Sequence, residues 1–179
     1  FVIDPGPKVY VRRINIAGNT ATQDVVIRRE MRQMEGTLYS SQKIQRSKER
    51  ISRLGFFEQV SIDVVPVTGA TDEVDLNFEV VESKAGNLLL GIGYSDDERA
   101  FIQAQVSRKN LFGSGRAIDI SLDRSQIKQF YELEYVNPYY TADGISRGIF
   151  AQQKNIDSGV GTTAGYIANS TTLGVRYRI

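Results

Sequence analysis

Two glutamates and two glycine clusters are the residues of this sequence whose types and spacing could support chemistry. Glu132 and Glu134 lie two apart on a predicted strand, so their side chains share one face, as a catalytic carboxylate pair would. No partner group accompanies them, and solvated acids on a polar strand face are the simpler interpretation. Gly91-Ile92-Gly93 follows a strand but opens no helix, and Gly113-Ser114-Gly115 has no lysine after it, so neither predicts a nucleotide-binding loop.

The residue types that are absent exclude further chemistry. The 179 residues contain no cysteine and no histidine, which removes thiol nucleophiles, disulfides, the commonest metal ligand and the usual acid–base catalyst near neutral pH. A net charge of +1, from 22 basic and 21 acidic side chains, gives no indication of nucleic-acid binding. The sequence therefore predicts no enzyme, with no catalytic residue, no metal site and no cofactor.

Helical membrane spans and targeting signals are not evident either. No apolar run approaches the roughly 20 residues that a membrane helix needs. Residues 1–7 lack the charged start and apolar core of a signal peptide, and they are typical of a linker. We therefore expect this chain to be part of a longer protein.

The period of the apolar residues changes near Lys84-Ala85-Gly86, which predicts one domain over 1–83 and another over 84–179. In the first half, both helical and strand periods occur. One helix is predicted from Asp24 to Met34, and another is predicted to be capped by Ser40 or Ser41 and ended by Gly55. With strands over 9–16, 59–67 and 74–81, the predicted order is β-α-α-β-β, an α+β domain.

The second half predicts an antiparallel β-meander. Apolar and polar residues alternate over 87–94, 102–107, 118–123, 130–136 and 171–179, and a less clearly phased strand is predicted over 145–153. Charges of both signs on the polar face and a long polar connection over 157–169 favour a membrane barrel with a wet interior. Tyrosines predicted at strand ends, where an interfacial girdle would lie, are Tyr94, Tyr135, Tyr139 and Tyr140. Six strands are too few to close a barrel, so the meander would form part of a transmembrane β-barrel.

Several segments carry a resemblance to a known family. They are Gly18-Asn19-Thr20, residues 26–36, Arg53-Leu54-Gly55-Phe56-Phe57, Gly91-Ile92-Gly93-Tyr94, residues 110–115 and Asn137-Pro138-Tyr139-Tyr140. Through them the chain resembles the BamA family, the central subunits of the bacterial outer-membrane β-barrel assembly machine. The first half resembles the fifth, membrane-proximal POTRA domain of that family, and the second half resembles its first barrel strands.

This resemblance implies assembly and insertion of outer-membrane proteins, in the bacterial outer membrane with the POTRA domain in the periplasm. The implied partners are unfolded outer-membrane protein clients, outer-membrane lipid and an assembly lipoprotein of the BamD kind. The implied lateral gate strand, which engages clients, comprises Asn87, Leu88, Leu89, Leu90, Gly91, Ile92, Gly93 and Tyr94. The implied lipoprotein-docking residues are Glu35, Arg28, Arg29 and Arg32. Glu35 is expected at a helix C-terminus, where an acid is electrostatically unfavourable and so suggests a function.

The mechanism expected from this resemblance is strand templating. An exposed strand edge offers unpaired N–H and C=O groups to another strand, at the POTRA sheet or at the gate strand. The same property predicts that the isolated chain either self-associates edge to edge or leaves its second half loosely ordered. Two alternatives remain at this point: a polypeptide transporter of the two-partner-secretion type from the same superfamily, and a soluble β-sandwich scaffold module.

Overall fold

The computed structural model describes residues 8–84, 86–157, 159 and 165–178, and the chain divides into two compact units. The first comprises the residues up to Lys84 together with Phe112–Ser114, and the second comprises the rest. The predicted linker over 1–7 lies outside the described residues.

The first unit has the predicted β-α-α-β-β order. Its elements are β1 (Tyr10–Ala17), α1 (Asp24–Arg28), α2 (Ser41–Arg53), β2 (Phe57–Pro66) and β3 (Glu73–Glu82). The strand order in the sheet is β1-β3-β2, with β1 parallel and β2 antiparallel to the central β3. The α+β prediction for this half is confirmed.

Helix α2 covers this sheet because its apolar residues lie on one face. Ile44, Ser47 and Ile51 are buried at helical spacing and pack with the alternating inward residues of β3, such as Leu76 and Phe78. The Ser40 hydroxyl accepts a hydrogen bond from the Lys43 N–H at 3.4 Å, as an N-cap does. Gly55 follows the helix with φ of 69°, the left-handed conformation that glycine adopts without strain. Both predicted ends of this helix are confirmed.

The predicted extent of the first helix is wrong. The helix ends at Arg28, whereas the sequence predicted it to continue to Met34. Beyond Arg28 the Glu30 and Met31 N–H groups still donate to the carbonyls of Ile27 and Arg28, but the Arg32 N–H donates to the Ser47 hydroxyl of α2 at 2.8 Å. Met34 is therefore 53% exposed and does not complete the predicted apolar stripe.

The second unit is a single antiparallel sheet of six strands in sequential order. Its strands are β4 (Gly86–Ser95), β5 (Arg99–Arg108), β6 (Ala117–Arg124), β7 (Lys128–Asn137), β8 (Ser146–Asp157) and β9 (Ile167–Arg178). The predicted meander is confirmed. The last two strands are longer than predicted, so the polar connection over 157–169 shortens to 158–166, and 158 and 160–164 lie outside the described residues.

The soluble-sandwich alternative is wrong. In a sandwich, the apolar face of this sheet would pack on a second sheet. Instead, Leu88, Leu90 and Leu173 on that face are 67%, 70% and 78% exposed. None of the helices in the described part of the chain is both long and apolar enough to cross a membrane.

Candidate functional site

The apolar face of the second unit is continuous across all six strands. Side chains in register on neighbouring strands point to the same face, so one row can be followed from edge to edge. One such row consists of Leu88, Val106, Ile120, Leu133, Ala151 and Leu173. Since it has no polar member, this row forms part of a band that would have to be covered by apolar surroundings.

That band crosses the sheet diagonally. On β4 it is centred on Leu90, whose row reaches β9 at Thr171, yet on β9 the band is centred on Val175. The shift from position 171 to position 175 over the width of the sheet corresponds to a band inclined by about 30° to the hydrogen-bonding direction, at about 3.3 Å per residue and about 4.8 Å per strand. Membrane barrels require a similar inclination, because their strands are tilted while the membrane is flat.

Tyrosines at the strand ends contact arginines, as expected where an apolar band meets water. The Tyr94 and Tyr135 hydroxyls accept hydrogen bonds from arginine Nη1 atoms at 3.0 Å each, and an arginine guanidinium lies 3.8 Å from the Tyr140 ring centroid. The pairs are Tyr94–Arg99, Tyr135–Arg116 and Tyr140–Arg147. The aromatic body and the polar tip of each pair suit a membrane–water boundary.

The opposite face of the sheet is polar and carries ion pairs. Glu134 Oε1 accepts from Arg176 Nη1 at 3.0 Å, across the intervening strand at Gly148, where the lack of a side chain leaves room. Lys128 Nζ lies 2.5 Å from Asp123 Oδ2. Among the described residues, no group of three or more acidic side chains is placed to hold a metal ion. Its ion pairs and polar side chains make this face resemble the wet interior of a barrel.

The predicted gate residues, 87–94, all lie in β4, at one edge of the sheet. Within the described residues, β4 pairs with β5 alone, so its outer edge presents backbone groups without a strand partner. Leu88, Leu90, Ile92 and Tyr94 project to the apolar face and are 66% to 84% exposed. Asn87, Leu89 and the two glycines occupy the polar face.

The docking candidates divide into two groups. Arg28 and Glu35 lie together, with Arg28 Nη1 3.7 Å from Glu35 Oε1. Arg29 lies beside the buried Glu30, at 4.0 Å, and exposed Arg32 lines a basic depression with residues of α2. Thus the structure brings two of the four candidates into direct contact.

Glu35 does not lie at a helix C-terminus, so that part of the prediction is wrong. It lies in the loop after α1, where its Oε1 accepts from the Ile14 N–H at 2.8 Å. Arg28 Nη2 donates to the Ile14 carbonyl at 3.2 Å. The two side chains therefore bond the backbone of β1 at its outer edge, where Leu38 also forms a β-bridge with Tyr10.

Because these contacts cover the outer edge of β1, β2 is the open edge of the first sheet. Gly36 and Thr37 both hydrogen-bond the backbone of Val11 in β1, at 2.7 Å and 3.0 Å. No strand among the described residues pairs with the outer side of β2. A strand added to this sheet would therefore join β2.

Glu82 has a structural role in the first unit that the sequence analysis did not predict. Its carboxylate accepts from the Thr20 hydroxyl at 2.9 Å and from the N–H groups of Ala21 and Thr22 at 2.9 Å and 2.6 Å. Burial acts to raise the pKa of Glu82, but these hydrogen bonds prevail and hold that pKa below its usual value. The carboxylate thereby fixes the turn after Gly18, one of the motifs that carried the resemblance.

The pairing of Gly93 with Phe101 was also missed, although the sequence contained a signal for it. The turn at Ser95-Asp96-Asp97-Glu98 fixes the register of the β4–β5 hairpin, and that register places the two residues opposite each other. Their contact joins β4, the predicted gate strand, to β5.

A β-α-α-β-β domain followed by a meander with a diagonal apolar band is the arrangement of a POTRA domain joined to strands of a transmembrane barrel. Residues 9–83 match the family model described as POTRA, surface antigen variable number repeat, and residues 110–179 match the Omp85 superfamily domain. The chain is homologous to BamA and belongs to the Omp85 superfamily.

Proteins from several lineages are similar to this chain in sequence. The outer membrane protein assembly factor BamA of Neisseria meningitidis is 41% identical over 177 residues, which is 99% of this chain and 22% of that protein. The BamA of Nitratidesulfovibrio vulgaris is 34% identical over 83% of this chain and 19% of its own length. Outer envelope protein 80, chloroplastic, of Oryza sativa is 30% identical over 73% of this chain and 21% of its own length. The chain thus spans about a fifth of the length of these curated relatives.

Solved structures agree with this assignment. BamA from Haemophilus ducreyi lacking POTRA domains 1–3 is 32% identical, with a TM-score of 0.81 over 96% of this chain and 32% of its own. CdiB from Acinetobacter baumannii shares the fold with a TM-score of 0.61 over 92% of this chain and 32% of its own, at 14% identity. At that identity, the likeness to CdiB shows the fold alone.

Proposed function

We propose that this chain is the part of an outer-membrane protein assembly factor that accepts strands of client barrel proteins. It acts at the bacterial outer membrane, with its POTRA domain in the periplasm and the diagonal apolar band in lipid. The observation that carries the proposal is β4, a ten-residue strand at the edge of the sheet, within the described residues. Its outer backbone groups template a client strand, and pairing then extends from there.

The composition of β4 supports this role. In lipid, an unpaired strand edge is costly because no water replaces the missing hydrogen bonds, so a client strand that supplies them is held firmly. Gly91 has no side chain to pack, which weakens native pairing and eases exchange of partners. The open edge of β2 is a second place where an extended client segment can add to a sheet.

We further propose that Glu35, Arg28, Arg29 and Arg32 dock an assembly lipoprotein of the BamD kind. The side chains of Arg28 and Glu35 are 45% and 47% exposed while in contact with each other, and Arg32 is exposed. Arg28 and Glu35 therefore present both signs of charge to a partner at one surface. The names of the relatives, outer membrane protein assembly factors, support a place in an assembly complex.

Cysteine cross-linking tests the role of β4. Residues 1–179 would replace the matching segment of the Neisseria meningitidis relative, with a cysteine at Ile92 and another in the terminal strand of a stalled client. Directly opposite residues on paired strands have Cα atoms about 4.5–5.5 Å apart, within the reach of a disulfide. We expect a cross-link at one register of the client strand.

The matched control is a cysteine at Ile120. Ile120 lies on the same apolar face as Ile92, but on β6, which has a strand on both sides. We expect no client cross-link there. Equal yields at Ile92 and Ile120, or client cross-links everywhere except β4, would show that β4 is not the accepting strand.

A further inference from the structure

The ring of Phe101, on β5, covers Gly93 of the edge strand. The two residues are directly opposite in the β4–β5 register. A Cβ atom built on Gly93 would lie 2.3 Å from Phe101 Cζ and 2.8 Å and 2.9 Å from the two Cε atoms. The ring tip thus occupies the space where a side chain of residue 93 would be. Gly91 differs, since a Cβ there would meet only the Gln103 side chain, at 3.7 Å.

The opposite edge of the sheet repeats this arrangement. Gly174, on β9, pairs with Phe150 on β8, and a Cβ atom on Gly174 would lie 2.4 Å from Phe150 Cζ. In both cases an interior strand provides the phenylalanine and the edge strand provides the glycine, on the polar face. This repetition gives a second, internal example against which the first can be tested.

The physical effect of the pair is to hold the edge strand on its inner neighbour. A glycine weakens a strand because it loses more backbone freedom on ordering and has no side chain to pack. An aromatic ring laid across the glycine restores a cross-strand contact and shields the backbone hydrogen bonds beneath it. Because the ring comes from β5, the contact ties β4 to its inner neighbour and leaves the backbone groups at the outer edge of β4 available.

We propose that Phe101 is a positioning residue for strand acceptance: it fixes β4 on β5 and so holds the outer backbone edge of β4 in place for the client strand, while Gly93 leaves the space that the ring occupies. This inference rests on the proposed function of β4. Gly93 is required because of the ring and not because of its backbone, since its φ does not lie in the left-handed region. The requirement should therefore disappear when the ring is removed.

A double-mutant cycle tests this dependence. Gly93→Ala should displace the ring and speed amide exchange in β4 by about fivefold, the effect of one favourable cross-strand pair. Phe101→Ala should do the same, and Phe101→Tyr, which keeps a ring, should not. Gly93→Ala added to Phe101→Ala should cause no further increase, because the space is then free. Gly91→Ala, the matched control, should leave exchange within about twofold of the unmodified protein.

Two measurements on the same variants separate this inference from the proposed function. Amide exchange in the detergent-folded chimaera is measured without any client. It reports how firmly the contact between Phe101 and Gly93 holds β4. Unchanged exchange in Phe101→Ala, or equal effects of Gly91→Ala and Gly93→Ala, would overturn the inference whatever clients do. Client cross-linking at Ile92, in the chimaera described above, should fall with exchange protection in the Phe101→Ala variant and return in Phe101→Tyr.

The β9 pair provides the specificity control. Phe150→Ala should speed exchange in β9 by a similar factor, because Gly174 loses its cover, while the client cross-link at Ile92 stays unchanged. A fall in that cross-link as large as the one in Phe101→Ala would show that the rings act only through general stability, and it would overturn the positioning role of Phe101. Loss of exchange protection in Phe101→Ala without any client cross-link in the unmodified chimaera would overturn the proposed function and with it the positioning role.

Discussion

Single carboxylates fix the loops of the first unit by accepting backbone hydrogen bonds. Glu82 binds the turn over residues 20–22, and the preceding Gly18 has φ of 86°, with its Cα so close to β3 that a Cβ atom would lie 2.0 Å from the Val80 carbonyl oxygen. A side chain at position 18 is therefore excluded both by conformation and by space. The shape of this turn depends on two residues 64 positions apart in sequence, Gly18 and Glu82.

Glu82 should make the stability of the first unit depend on pH. Because its pKa is lowered in the folded state, its contribution is fully present above the ordinary value of 4.5 and is lost as pH falls through the folded pKa. Glu82→Gln removes the charge that three donors share, so we expect a loss of about 1–2 kcal/mol in the free energy of unfolding near pH 7. Urea unfolding of residues 8–84 measures it.

The difference between the unmodified unit and Glu82→Gln should shrink as the pH is lowered from 6 to 3. Asp75, whose pKa is lowered by its hydrogen bond from Arg12, titrates in both proteins and therefore cancels in the comparison. A difference that stays constant over this range would show that the hydrogen bonds do not depend on the charge of Glu82.

Whole elements differ in how well local sequence signals predict them. Helix α2 was predictable because its capping residue, its apolar period and the glycine after it all agree with the packing of the helix in the fold. The strands were predictable because their apolar residues alternate in the same way as their buried or apolar faces. The extent of α1 was not, because Glu30 and the Arg32 N–H find their partners on α2, in Arg50 and Ser47. Those contacts are tertiary, and helical periodicity cannot reveal them.

The candidate site shows the same division. The bounds of the strand predicted to be the gate followed from alternation and resemblance, and the structure adds that this strand, β4, lies at a sheet edge. The cover of Gly93 by Phe101 required the hairpin register. The closure of β1 by Arg28 and Glu35 could not be predicted, because it joins side chains of one segment to the backbone of another.

Closure of β1 gives a prediction for Glu35. Glu35→Lys cannot accept from the Ile14 N–H, so we expect it to lower the free energy of unfolding of the first unit by about 1–2 kcal/mol. Glu35→Gln keeps an acceptor and loses only a half-exposed ion pair, worth roughly 0–1 kcal/mol. Urea unfolding distinguishes the two variants.

Co-purification with the assembly lipoprotein then tests the docking role. If the carboxylate of Glu35 contacts the partner, both variants weaken association, although Glu35→Gln remains as stable as the unmodified unit. We expect this result. Normal association of the Glu35→Gln variant would leave Glu35 with its role in closing β1 alone, and the docking proposal would then lose this residue.

On the scale of the whole chain, the two units face different solvents. The first buries its apolar residues in a core of its own, which includes Val11, Ile27, Ile51 and Phe78. The second exposes an apolar band on one face and, within the described residues, two unpaired edges, β4 and β9. Folding of the first unit therefore needs no other surface, whereas the second requires something that covers both its face and its edges.

Residues 1–179, purified alone in plain buffer, should therefore self-associate. Six strands cannot close a barrel, so edge-to-edge pairing of β4 and β9 is the route that satisfies the backbone groups of both edges. Paired substitutions Ile92→Lys and Val175→Lys, on the two edge strands, should reduce the assembled mass in light scattering by charge repulsion. Ile120→Lys on β6 is the matched control, which removes apolar surface but leaves both edges as they are. If instead the unmodified chain is a monodisperse monomer whose amides are strongly protected after Gly86, the apolar band is covered within a single molecule, and its assignment to lipid is wrong.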